Sequence, residues 1–120
     1  MGNGCILRES LNFVGKKWTL LILLELYKGK EEFKRYNRIK SGLKDITPKM
    51  LSLRLKDLEI NKLIIHETET DKMPVVSRYK LTKRGIEFVD IIKDIKKWSL
   101  KHTTKDHKRC SKTDCKYCDF

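Results

Sequence analysis

No apolar run in this 120-residue chain exceeds the five residues Leu20 to Leu24, where a membrane-spanning helix requires roughly 20. A transmembrane reading is therefore excluded. The chain does not open with basic, apolar and small-residue segments in succession, so no secretory signal is expected. Met1-Gly2 begins like a myristoylation site, but Ile6 stands where Ser or Thr is required. The expectation is a cytoplasmic protein. Also lacking are a Gly-rich phosphate loop, a His-Glu-x-x-His pair and any recognisable nucleophile-base set, so the sequence supports no enzymatic chemistry. Neither internal repeats nor an interdomain linker occur, and the length is that of one small domain. Four cysteines in a reducing compartment read as metal ligands, redox sensors or inert thiols before they read as a disulfide scaffold.

Acidic residues are the minority, 16 against 28 Lys+Arg, for a net charge of +12. Every segment is positive: residues 1–46 carry ten basic and five acidic side chains, 47–81 seven and five, 82–100 five and three, and 101–120 six and three. A basic surplus spread along the chain suits an extended polyanion, because each Lys or Arg that meets a phosphate releases condensed counterions. A Lys-rich solvated surface has the same composition, so the order of elements must decide. The 39% of apolar residues suffice for one core, and a chain of this size gains from a dimer partner that covers more of them.

Cys5 to Val14 carries Ile6, Leu7, Leu11 and Val14 at helical spacing and ends near Gly15. Lys16 to Lys28 is apolar almost all round, which predicts a helix buried almost all round. Gly29 closes it, and Glu31, Glu32, Phe33, Tyr36 and Ile39 predict a third helix with acids in its first turn, stopped by Ser41-Gly42. Thr47-Pro48 reads as an N-cap followed by Pro at the first helical position. In the helix to about Asn61, Leu51, Leu55 and Leu58 share one stripe, while Lys49, Leu53 and Lys56 lie opposite, with Ser52 on the flank. From Leu63 the period becomes that of a strand, residues 70–74 are turn chemistry, and Val75 to Leu81 is a second strand. Thr82 caps a last long helix carrying Ile86, Val89, Ile92, Ile95 and Trp98. The organisation is a folded unit over 1–100 and a basic, cysteine-bearing tail over 101–120.

Helices followed at once by a two-stranded hairpin, the last of those helices basic on its outward face, describe a winged helix-turn-helix, mainly α with a small β-hairpin. That arrangement puts the basic helix in the major groove of double-stranded DNA and the hairpin tip against the backbone or minor groove. Cys5-Ile6-Leu7-Arg8-Glu9 with Val14-Gly15-Lys16-Lys17-Trp18-Thr19-Leu20 resembles the opening of the HxlR family of bacterial and archaeal regulators. Phe33-Lys34-Arg35-Tyr36 and Ile46-Thr47-Pro48-Lys49-Met50-Leu51 resemble that family's helix-turn-helix, and Ser77-Arg78-Tyr79-Lys80-Leu81-Thr82-Lys83-Arg84-Gly85 its wing and exit. The match runs in order over about residues 5–98. The resemblance implies a homodimeric transcription regulator that dimerises through its first and last helices and reads an inverted repeat. It also implies an oxidant or electrophile effector for part of the family, sensed by a cysteine at the position of Cys5. Leu53, where many relatives carry a polar side chain, and the tail after Lys108 depart from the pattern.

The candidate DNA contacts are Thr47, Lys49, Ser52, Leu53, Arg54, Lys56, Lys72 and Arg78. Leu53 suits a thymine methyl or packing under a neighbour. Arg54, beside the buried stripe, suits a base or a salt bridge to the third helix. Lys72 and Arg78 suit the DNA backbone, and Arg78 suits equally a pair across the hairpin with Glu67 or Glu69. His66 reads as an exposed strand residue and Trp98 as dimer or core packing. Cys5, just inside a helix N-terminus, has its thiolate favoured by the dipole, or is a small buried hydrophobe. Cys110, Cys115 and Cys118 with His107 form a Cys3His set suited to zinc. The same cysteine spacing occurs in plant-type iron–sulfur proteins, and a basic tail with reduced thiols is the third reading. A chromatin-like protein that coats DNA without sequence preference is the alternative function.

Overall fold

The computed structural model describes residues 4–103, 107, 111–112 and 114–117. Its elements are α1 (Ile6–Val14), α2 (Thr19–Tyr27), β1 (Lys34–Arg35), α3 (Tyr36–Leu43), α4 (Pro48–Ile60), β2 (Ile64–Glu69), β3 (Val76–Leu81), α5 (Lys83–His102) and a 3-10 turn at Cys115–Tyr117. The strands form one antiparallel sheet in the order β1-β3-β2. Opposite residues include Lys34 and Tyr79, Arg35 and Arg78, and Glu67 and Arg78.

Local signals set α4 and α5. The Thr47 hydroxyl accepts the Met50 amide at 3.2 Å, with Pro48 at the first helical position, and the Thr82 hydroxyl accepts the Gly85 amide at 3.0 Å. Each cap satisfies an amide that has no partner within its helix. Leu51, Leu55 and Leu58 of α4 are buried and join Ile22, Leu23 and Leu26 of α2, Ile39 of α3, Leu63, and Ile64 of β2 in a single core.

The third helix departs from its expected limits. Glu31, Glu32 and Phe33 precede β1, and α3 begins only at Tyr36, because Lys34 and Arg35 spend their backbone groups on β3. A two-residue strand is too short to show a period in sequence. Ser41 and Gly42 do not stop α3, which continues to Leu43. The burial of Lys34 pushes its ammonium below the ordinary lysine value, and its Nζ donates to the Glu25 carbonyl in the last turn of α2, where carbonyls lack helical partners.

The second helix is buried on one side only. Thr19, Ile22, Leu23 and Leu26 are enclosed, but Leu21 is 51% exposed. No residue of α1 is buried. In the tail, the Gly29 amide donates to the Lys116 carbonyl at 2.8 Å and Lys93 stands 3.6 Å from Asp114, so residues 114–117 are seated on α2 and α5.

Candidate nucleic-acid interface

The outward face of α4 presents Lys49, Ser52, Leu53 and Lys56, all exposed. Burial of the leucine stripe on the other side forces this orientation. Among the described residues, neither Lys49 nor Lys56 has a carboxylate within ion-pair distance. Leu53 is 48% exposed, with about half its surface open to an apolar contact. Thr47 is also exposed and uses its hydroxyl as the cap of α4.

Tyr36 was legible only as an apolar helical position, yet its hydroxyl seats α4. It lies 3.0 Å from the Pro48 carbonyl and 3.2 Å from Ser52 Oγ. A phenol has one proton, so with that proton on the carbonyl, Ser52 donates to Tyr36. The Phe33 to Tyr36 block was the one sequence signal for this contact.

Arg54 does not make the expected salt bridge to the third helix. Its Nε donates to the Lys17 carbonyl at 3.0 Å and its Nη1 to Asp57 Oδ2 at 3.2 Å. Neither acceptor belongs to α3, and its side chain is only 13% exposed.

The hairpin carries its cations mostly in pairs. Arg78 bonds Glu67 across the ladder at 2.7 Å and lies 4.0 Å from the centre of the Phe33 ring. Lys80 bonds Glu32 at 2.7 Å above the other part of this cluster, 5.0 Å from the same ring. Arg35 grips both oxygens of Glu69 at 3.1 and 3.2 Å, and Lys72 stands 3.9 Å from Glu69 while remaining half exposed. The Arg35 hydrogen bond holds the Glu69 carboxyl below its ordinary value, and the Lys80 hydrogen bond does the same for Glu32. His66 is not an exposed strand residue. Its ring stacks on Tyr79 at 4.5 Å, covered because β2 and β3 place the two residues opposite.

Away from α4, α1 and α5 leave apolar side chains open: Ile6, Leu7, Leu11, Ile91, Ile95 and Trp98. A groove of about 410 Å³ runs between these helices over Phe13, Val14 and Phe88. Cys5 is the N-cap of α1 itself, one position before the helix, and its exposed Sγ accepts the Arg8 amide at 3.4 Å. Of the tail set, Cys110 and Cys118 lie outside the described residues. His107 is exposed, and Cys115 Sγ is 3.8 Å from the Lys96 ammonium. Among the described residues no three His, Cys, Asp or Glu side chains gather into a metal-holding group, and no helix is long and apolar enough to cross a membrane.

A capped helix with a free basic face, seated on a helical core and followed by a β2–β3 hairpin whose sheet β1 completes, defines a winged helix-turn-helix DNA-binding protein. The chain belongs to the HxlR-like helix-turn-helix family, whose model matches residues 13–107. It is 37% identical over 91 residues to the HTH-type transcriptional regulator YdzF of Bacillus subtilis, spanning 76% of this chain and 81% of that one. It is 33% identical over 101 residues to the regulator YodB of the same organism, spanning 82% and 87%. The reduced form of YodB has the same fold at a TM-score of 0.71 and 30% identity, covering 85% of this chain and 98% of that one. The redox regulator HypR in its oxidised form is similar at a TM-score of 0.67 and 25% identity, covering 84% and 100%. The chain is thus a sequence-specific DNA-binding regulator of transcription, not an architectural protein that coats DNA.

Proposed function

We propose that the chain binds an inverted repeat as a homodimer. Each α4 enters a major groove through Lys49, Ser52, Leu53 and Lys56, and the hairpin tip with Lys72 lies along the adjacent backbone. The observation that carries this reading is the outward face of α4, where, among the described residues, two exposed lysines stand without carboxylate partners while Arg35, Arg78 and Lys80 of the sheet are paired. Two-fold pairing through α1 and α5 is supported by the apolar side chains those helices leave open. It spaces the two α4 helices by about 34–36 Å or a multiple, the repeat of the groove. A redox input through Cys5 is supported by its exposed sulfur at the N-cap of a helix that depends on a partner for burial, and by the likeness to HypR, a redox regulator.

Footprinting on DNA upstream of the chain's own gene, with and without diamide, tests all three parts. Two protected half-sites of fixed spacing are expected, with protection altered by diamide in the wild type and unaltered in Cys5→Ser. Uniform protection along the fragment overturns the inverted repeat. An equal diamide response in Cys5→Ser removes Cys5 from the switch.

A further inference from the structure

Among the described residues, side-chain hydrogen bonds fasten the reading helix to other elements at two places, and only one of them lies within the helix-turn-helix. Tyr36 holds its N-terminal half to α3. The other contact reaches 37 residues back along the chain, from Arg54 Nε to the Lys17 carbonyl at 3.0 Å. Arg54 also bonds Asp57 Oδ2 at 3.2 Å, and Lys16 Nζ approaches that same oxygen at 3.6 Å. The result is a closed set: the backbone and side chain of two adjacent loop residues, Lys16 and Lys17, grip a guanidinium and a carboxylate one turn apart on α4. The side chains of Arg54 and Asp57 are 13% and 24% exposed, so water and salt screen that pair less than a surface pair, while Lys16 at 46% stays in solvent.

The loop on the other side of this grip joins α1 to α2 and has little freedom. The Gly15 amide returns to the Leu11 carbonyl at 2.8 Å, and Trp18 holds a left-handed backbone at φ 81°, a conformation that side-chain-bearing residues rarely keep without support. Trp18 packs against the core. With both ends of the loop fixed, a displacement of α1 moves Lys16 and Lys17 with it.

We infer that Arg54 is a positioning residue for DNA recognition: it ties α4 to the loop after α1, so that the seat of α1 sets how the reading face is presented. This rests on the reading of α4 as the groove-facing helix. A guanidinium directed at DNA would have to give up the Lys17 carbonyl and leave Asp57 with Lys16 alone, which costs more than an exposed lysine spends in reaching a phosphate.

The test uses the full chain and two probes: a duplex enriched from a random library by the wild type, and a random-sequence duplex. Affinities are measured at several salt concentrations, with melting followed by circular dichroism. Arg54→Met is expected to bind the enriched duplex about tenfold more weakly, with the random duplex and the salt slope unchanged. Asp57→Ala supplies a second arm in which the two roles predict opposite signs. Removing a negative charge and freeing a guanidinium strengthens binding if Arg54 contacts DNA, and weakens binding to the enriched duplex if Arg54 positions α4. The link to α1 is read from Gly15→Ala, whose Cβ would lie 2.6 Å from the Leu11 carbonyl oxygen and so must displace the α1 junction. It is expected to weaken binding by a larger factor in the wild type than in Arg54→Met.

A salt slope lower by about one unit in Arg54→Met, or tighter binding by Asp57→Ala, overturns the inference, and equal Gly15→Ala factors in both backgrounds overturn its link to α1. An enriched duplex that both variants bind as the wild type does defeats the inference alone. If the wild type enriches no sequence, the reading of α4 falls and the inference falls with it.

Discussion

Lys49 and Lys56 differ from the paired cations of the sheet in their neighbours, not in their chemistry. Arg35, Arg78 and Lys80 are each within 3.1 Å of a glutamate oxygen, whereas among the described residues these two lysines have none. Removing an exposed side chain of this kind changes stability by about 0.5 kcal/mol at most, so its effect belongs to binding. Lys49→Ala and Lys56→Ala are each expected to lower the slope of log affinity against log salt by about one unit, with melting unchanged. Titrations of a fluorescent duplex at four or so salt concentrations read this directly. Gly85 is constrained from the opposite direction. Its missing side chain lets the first turn of α5 press against the Leu63 carbonyl, which also accepts the Thr82 amide at 3.1 Å. Alanine is the better helix former by roughly 1 kcal/mol, but here its Cβ meets fixed backbone, and overpacking of that sort costs about 1–3 kcal/mol. The clash wins, and Gly85→Ala is expected to lower the urea midpoint.

Among the elements, the wing is held at its base by contacts that depend on ionisation. Glu69, at the end of β2, joins β1 through the Arg35 fork and approaches Lys72 at the tip. Those bonds keep its carboxyl below the ordinary value of 4.5. A depressed carboxyl binds fewer protons folded than unfolded, so it contributes its full stability above 4.5 and loses it as pH falls through the lower folded value. The hairpin tip is therefore expected to gain motion on acidification. Nitrogen relaxation of residues 70–75 at about pH 6 and about pH 3.5 measures it, and Glu69→Gln is expected to show the more mobile tip at both. The phenyl ring of Phe33 adds a contact that does not titrate in this range: it lies under Arg78 and Lys80, a cation–π arrangement that keeps the root of the wing on the domain when the acids are protonated.

For the whole molecule, the deciding fact is that its outermost helices are unfinished. A nine-residue helix such as α1, with none of its residues buried, is marginal by itself in water. Ile91, Ile95 and Trp98 fall on one flank of α5, while Gly85 and Val89 hold another flank to the domain. On the proposed dimer, Ile95→Asp is expected to leave the fold intact and give a monomer in sedimentation equilibrium where the wild type gives a dimer. Loss of the paired footprint should accompany that shift. A dimer that persists with Ile95→Asp would move the interface away from α5.

The sequence by itself determined what short-range physics determines. The Thr47-Pro48 start, the Leu51, Leu55, Leu58 stripe and hence the outward place of Lys49, Leu53 and Lys56 follow from a cap and a helical period, both confined to a few residues. The turn chemistry at 70–74 and the Thr82 cap fixed the hairpin and the start of α5 in the same way. Tertiary structure decided whatever depends on a partner far along the chain. The pairing of Lys34 and Arg35 with β3 converted the expected first turn of a helix into a strand, because backbone hydrogen bonds to residues 78 and 79 outweighed a weak local preference. Ser52 was legible as a flank residue but not as a donor to Tyr36, and Cys5 as a helix start but not as the cap itself. Arg54 shows the division most plainly. The helical period put it at the edge of the buried stripe, and only the return of the chain by 37 residues supplied the carbonyl that turned its guanidinium toward the protein.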